Sequence, residues 1–95
     1  MKLLTIVCEA HAEKAVTALL REAGAHGWTL FEVKGLGAQG SRPADIPDYA
    51  NIQVEAIVKA EVSEQLLARL EKEFFPCYAM IAYETDVRVL REGKF

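Results

Sequence analysis

The sequence predicts one α+β domain in which two helices cover one face of an antiparallel sheet of four strands. Three observations predict this class. The chain has 95 residues, which suits a single domain spanning residues 1–95. Its apolar residues follow a strand pattern four times and a helical period twice, and the elements succeed one another in the order β-α-β-β-α-β.

The first half of the chain predicts a strand, a helix and a second strand. Residues 3–9 form an apolar run of strand length. A helix is expected after this strand, and Gly24 predicts its end, because glycine enters the left-handed conformation without steric cost. Residues 28–34 are rich in β-formers and carry bulky side chains on both faces. Between the two strands, apolar residues recur at the spacing of one helix face: Ala12, Ala15, Val16, Leu19, Leu20 and Ala23.

The second half predicts a strand, a helix and a last strand. Alternating apolar residues indicate a half-buried strand over 52–58, and Ser63 is placed to cap the following helix. Pro76 ends that helix, and a long strand is expected over 80–89. The inner face of the helix is expected to carry Leu66, Leu67, Leu70 and Phe74.

This order is that of the ferredoxin-like fold, whose helices cover only one face of the sheet. The apolar fraction of 52% exceeds the usual 45–50%. We therefore expect the other face to be covered by further copies of the chain.

Composition excludes several classes of protein. Eleven basic against fourteen acidic residues give a net charge of −3, which offers no general attraction for nucleic acid. No apolar run approaches the roughly 20 residues of a membrane helix, and the N-terminal apolar run is too short for a secretory signal. Cys8 and Cys77, both in apolar stretches, are expected to be ordinary buried thiols in a reducing cytoplasm.

The segment 35–50 is the most informative part of the chain. Its sixteen residues are far more than a tight hairpin needs, and loops of this length are usually functional or mobile. It begins with G-x-G-x-x-G, but Pro43 and Pro47 exclude the helix that a dinucleotide-binding fingerprint requires. Closely spaced glycines still allow backbone N–H groups to bind anionic oxygens. A flexible, solvated loop remains the alternative.

The region from Gly24 to Gln39 resembles the second strand and loop base of the PII signalling proteins. Their pattern G-x-x-G-x-T-x-x-E-V-K-G-x-G-x-Q is matched at every fixed position. Residues 74–81 are similar to the F-F-x-x-Y-A-x-I run of the PII-like branch linked to bicarbonate transporters and carboxysomes. Residues 87–91 resemble the basic final strand of the family.

The resemblance implies a homotrimer that binds adenine nucleotides in clefts between subunits. Gly27 and Thr29 would border the base, and Arg91, with Arg88 as a weaker candidate, would bring positive charge from a neighbouring subunit. The phosphates would lie against Lys34, Gly35, Gly37 and Gln39. Bicarbonate would be a second ligand, for which we expect the donors Gln39, Gly40, Ser41 and Arg42.

The sequence also departs from the conventional members of that family. The loop is shorter, Tyr49 lies near its end, and Ala38 stands where conventional members carry arginine. Fewer cationic donors weaken triphosphate binding most, so we expect ADP or AMP to be preferred over ATP. The expected role is to report inorganic-carbon or energy status to a transporter or a carboxysome-linked partner, without catalysis.

The sequence is also compatible with other classes of protein. An acylphosphatase-like enzyme shares the element order, and Arg42 with Asn51 imitates its phosphate-binding pair, although the spacing differs. An amino-acid-binding regulatory domain of ACT type also fits the order. Cys8, Glu9 and His11 allow a comparison with the metal-tolerance trimers of the same architecture, but they form no recognised metal-binding pattern, so no metal is expected.

Overall fold

The computed structural model describes residues 1–34 and 51–95 and confirms the predicted element order. In the part of the chain that the structure describes, four strands form one antiparallel sheet in the order β2-β3-β1-β4. The elements are β1 (Lys2–Glu9), α1 (Glu13–Glu22), β2 (Thr29–Val33), β3 (Asn51–Val58), α2 (Ala60–Arg69) and β4 (Met80–Asp86). Short 3-10 turns at Ala10–Ala12 and Glu92–Lys94 and a π turn at Leu70–Phe74 accompany them.

The core lies between the helices and one face of the sheet. Leu4 pairs with Ala56, and Ile6 pairs with Val54, so their side chains share a face and are buried. On the helices, the predicted apolar positions Val16, Leu19, Leu20, Leu66, Leu70 and Phe74 are buried against them. The periodicity of the sequence therefore predicted most of this core, although Leu67, also expected on the inner face, is only half-buried.

The opposite face of the sheet is open in the single chain. Phe31 on β2 and Ile81 and Tyr83 on β4 belong to this face, and their exposed fractions are 41%, 57% and 46%. Val7 and Val33, on the same face, are only half-buried. The second face of β2 thus carries the bulky side chains expected from the sequence, and no helix among the described residues covers it.

Gly24 ends α1 as predicted. Its φ angle is +94°, and Ala25 and Gly24 donate hydrogen bonds to the carbonyls of Leu20 and Arg21 at 2.9 and 3.1 Å. These two bonds form a Schellman motif, in which a left-handed residue after the helix satisfies its last carbonyls. Burial of Ala25 completes the motif with an apolar contact.

Replacing Gly24 with alanine should lower the free energy of unfolding by about 1–2 kcal/mol, because a Cβ is unfavourable at positive φ. An added Cβ at Gly24 meets nothing within 4 Å, so the expected cost is backbone strain alone. Gly93→Ala is the matched control, since that site is equally open and has no positive φ. Equal urea midpoints for the two variants would contradict this account.

Three details differ from the sequence prediction. Ser63 does not cap α2; Lys59 stands at the cap position, the helix begins at Ala60, and the Ser63 amide already donates to the Lys59 carbonyl. The buried Ser63 hydroxyl instead donates to Glu84 at 2.7 Å. Cys77 is exposed rather than buried, because it lies in the turn after α2, whereas Cys8 is buried as expected.

The third difference concerns the last strand, which ends at Asp86 rather than continuing to residue 89. Asp86 pairs with Lys2, the first residue of β1, and the Val87 amide finds only the Met1 carbonyl, at 3.2 Å. Because β1 begins at Lys2, it has no further strand residue with which β4 could pair. The Lys2 ammonium also contacts the Asp86 and Glu84 carboxylates, which fixes this end of β4.

Within residues 1–34 and 51–95, none of the helices combines the length and apolar character needed to cross a membrane.

Candidate functional site

A cleft of about 210 Å³ opens at the end of the sheet where β2 begins. It contains two residues that the sequence singled out, Gly27 and Thr29. Leu3, Trp28, Glu55, Ile57 and Phe95 complete its lining. The chain thus gathers residues from both ends and from the middle of the sequence around one concavity.

Strand register explains why these residues meet. Thr29 pairs with Glu55 across β2 and β3, and Leu3 pairs with Ile57 across β1 and β3. Successive strand residues alternate between faces, so these four side chains lie opposite to the buried Leu4 and the other core residues. The cleft therefore belongs to the open face of the sheet.

The walls of the cleft combine apolar surface with a polar edge. Leu3 and Ile57 are half-buried aliphatic side chains, and Thr29 offers an exposed hydroxyl. The Glu55 carboxylate accepts a hydrogen bond from Gln53 at 3.4 Å and retains further acceptor positions. A flat apolar ring with an amino substituent suits this lining, because the carboxylate accepts hydrogen bonds from an amino group.

Gly27 and Trp28 form part of the rim of the cleft, and they directly precede Thr29, the first residue of β2. An added Cβ at Gly27 meets nothing within 4 Å, so the backbone borders open space. Trp28 is partly buried against the core, and the Arg21 guanidinium lies 5.1 Å from its ring centroid. A cation placed over an aromatic face in this way is attracted to the ring.

The structure does not bring all predicted site residues together. Lys34 is exposed at the end of β2, and Arg88 and Arg91 lie beyond β4, so the expected basic final strand is not a strand here. None of these three cations lines the cleft of the same chain. Gly35, Gly37, Gln39, Gly40, Ser41 and Arg42 lie outside the described residues.

Sequence reasoning missed the side of the cleft formed by β3 and the C-terminal turn. Glu55 lies within the strand predicted over 52–58, but its register opposite Thr29 depends on the pairing of two strands that are far apart in the sequence. Leu3 and Ile57 were assigned to the sheet without a role. The alternation along β3 does place Glu55 and Ile57 on the outer face, which was the available signal.

The residues considered for a metal form a different arrangement. The His11 ring lies 3.0 Å from the Glu9 carboxylate and 5.5 Å from the Tyr78 ring centroid. Burial raises the pKa of the Cys8 thiol to about 11, which disfavours the thiolate that binds metals. Among the described residues, no group of three or more potential ligands surrounds a common point.

Residues 1–94 match the sequence model of the nitrogen regulatory protein P-II family. The chain belongs to this family. A PII-like signalling protein from Thermus thermophilus is 41% identical, with a TM-score of 0.84 over 99% of this chain and 93% of the other. The resemblance inferred from the region between Gly24 and Gln39 is therefore confirmed.

Two solved structures of CPII, a nitrogen regulatory PII-like protein from Thiomonas intermedia K12, are also similar. The structure bound to ADP and bicarbonate is 30% identical, with a TM-score of 0.85. The structure bound to ADP, AMP and bicarbonate is 28% identical, with a TM-score of 0.86. Each match covers 99% of this chain and 92% of the other.

Proposed function

We propose that this PII-family protein is a homotrimeric regulator that binds ADP or AMP in clefts between subunits, with bicarbonate as a second ligand. The observation that carries the proposal is the cleft that joins Gly27 and Thr29 to the Glu55 carboxylate. The similar CPII protein is described with ADP, AMP and bicarbonate bound, which supports the same ligand class here.

The lining of the cleft fits an adenine base. Adenine is planar and apolar on its faces, and its exocyclic amino group donates hydrogen bonds. The aliphatic walls of Leu3 and Ile57 suit the faces, whereas the Glu55 carboxylate and the Thr29 hydroxyl supply acceptors at the edge. Gly27 lets the ligand approach the backbone closely, because no side chain occupies that space.

Assembly into a trimer would complete the site. The cleft lies on the open face, which also carries the exposed Phe31, Ile81 and Tyr83. Covering this face with neighbouring copies removes apolar surface from water and places residues of another subunit beside the cleft. Arg88 and Arg91, which do not reach the cleft of their own chain, are then available to a neighbour's site.

The phosphates would extend from the cleft toward Lys34 and the following loop. We assign Gly35, Gly37 and Gln39 to phosphate binding and place bicarbonate with Gln39, Gly40, Ser41 and Arg42. With Ala38 in place of the arginine of conventional members, a third phosphate gains fewer charge-assisted contacts. ADP and AMP should therefore bind more tightly than ATP.

The biological output would be a change in partner binding. The family consists of signalling proteins, so we propose that occupancy by ligand, rather than turnover, is the output. If nucleotide and bicarbonate bind cooperatively, each must raise the affinity for the other by the same factor. Such a protein reports energy and inorganic-carbon status together, and a bicarbonate transporter or carboxysome-linked protein in the cytoplasm is the partner we propose.

Titration calorimetry with ADP, AMP and ATP tests the ligand assignment. We expect heat with all three, weaker binding for ATP, and a lower ADP dissociation constant when bicarbonate replaces chloride at equal ionic strength. Amino acids are the control ligands, because heat with an amino acid and none with a nucleotide would favour the ACT-type alternative. Absence of heat with every nucleotide would refute the proposed function.

Gly27→Ala tests the position of the base. The added methyl group should weaken ADP binding about fivefold or more, since extra volume in a filled site costs about 1–3 kcal/mol. The free energy of unfolding should change by less than about 0.5 kcal/mol, because the methyl group meets no atom of the free chain. Normal ADP binding by this variant would place the base elsewhere.

A further inference from the structure

The C-terminal turn folds back onto the rim of the cleft. Lys94 and Phe95 donate backbone hydrogen bonds to Arg91 and Glu92 at 3.1 and 2.9 Å, which closes the 3-10 turn. The His26 ring nitrogen Nδ1 then donates to the Lys94 carbonyl at 2.8 Å. This bond ties the turn to the residue directly before Gly27.

The turn places one aromatic residue, Phe95, at the cleft wall. Residues 90–94 are all exposed, and Leu90 reaches 90% exposure, whereas Phe95 is half-buried and lines the cleft. The cleft keeps a volume of about 210 Å³ beside Phe95, so this residue belongs to the wall and does not fill the space. The carbonyl that His26 binds belongs to Lys94, the residue directly before Phe95.

We propose that Phe95 is a ligand-contact residue on which the base stacks, and that His26 is its positioning residue. This inference rests on the proposed function and adds two residues that sequence reasoning did not assign to the site. Leu3 and Ile57 give the base aliphatic contact, but an aromatic ring adds stacking, which is tolerant of base identity and substantial in size. The chain thereby supplies its own stacking surface.

A series at position 95 tests the contact, with ADP as the titrated ligand and the full chain as the protein. Phe95→Ala should weaken binding about fivefold or more, the lower end of the stacking range. Phe95→Trp should bind nearly as tightly as the parent protein, and Phe95→Leu should lie between. Sedimentation must show the same assembly for all four proteins.

The direction of the effect is decisive. Tighter ADP binding by Phe95→Ala would mean that the tail blocks the site, and unchanged binding would mean that the ring makes no contact. Either result overturns the inference while leaving the proposed function intact. If the parent protein itself fails to bind ADP, the proposed function has failed instead.

A double-mutant cycle tests the positioning role. His26→Ala should weaken ADP binding between about twofold and tenfold, the range for one hydrogen bond, and should have no further effect in the Phe95→Ala background. His26→Asn, which retains an N–H donor near the position of Nδ1, should restore part of the loss. His11→Ala is the matched control, because that exposed histidine bonds to Glu9 instead. Additive losses in the cycle would refute the coupling between His26 and Phe95.

Discussion

Replacing Ile81 with glutamate should convert the proposed trimer to monomers at micromolar concentration. Ile81 is the most exposed apolar side chain of the open sheet face, with 57% exposure, and it pairs with the half-buried Val7. Between subunits, the new carboxylate would be removed from water without a partner, which costs several kcal/mol for each copy. Three copies would meet in the proposed trimer, so the effect should exceed that of any other surface substitution considered for this protein.

Analytical ultracentrifugation measures this directly, and Ala68→Glu is the control. Ala68 is exposed on α2, on the side of the sheet that the helices cover, so the same charge there should leave the assembly intact. The far-ultraviolet circular dichroism of both variants should remain that of the folded chain. A trimeric Ile81→Glu protein would show that the open face is not the subunit interface.

Dissociation should also weaken nucleotide binding, because the cleft and the open face are continuous. Thr29, Glu55, Leu3 and Ile57 lie on the same side of the sheet as Ile81. A neighbouring copy would therefore cover both. Weak ADP binding by the monomeric variant is expected, whereas full affinity would indicate that one chain suffices for the site.

The fold was predictable because every element has its own local signal. The apolar stripe before Gly24 fixed α1, and the alternation over residues 52–58 fixed β3 and the face that it buries. Gly24 itself marked the helix end, since its positive φ is costly for other residues. These signals do not depend on distant parts of the chain.

The missing details depend on contacts between distant residues. Ser63 has a side chain that can cap a helix, but it is buried beside β4, where its hydroxyl donates a hydrogen bond to Glu84 instead. The last strand was predicted too long because its end is set by where β1 begins, at Lys2. The role of Glu55 likewise required the register of two strands joined by a long connection.

Replacing Leu66 with alanine should lower the free energy of unfolding by about 2–5 kcal/mol. Leu66 is fully buried on α2, within the cluster that joins both helices to the sheet. The substitution removes three side-chain carbons and leaves a cavity that the rigid sheet cannot close. A loss of this size is a large part of the roughly 5–15 kcal/mol that stabilises a domain.

Leu67→Ala is the matched control for this prediction. Leu67 is its neighbour on the same helix but only half-buried, so the change in helix propensity is shared and the difference between the variants reports burial. Urea unfolding should be followed at one fixed protein concentration, because the stability of an oligomer depends on that concentration. Leu66→Ala should lose at least about 1 kcal/mol more than Leu67→Ala. Equal losses in the free energy of unfolding would mean that Leu66 contributes no more to the core between the helices and the sheet than the half-buried Leu67 does.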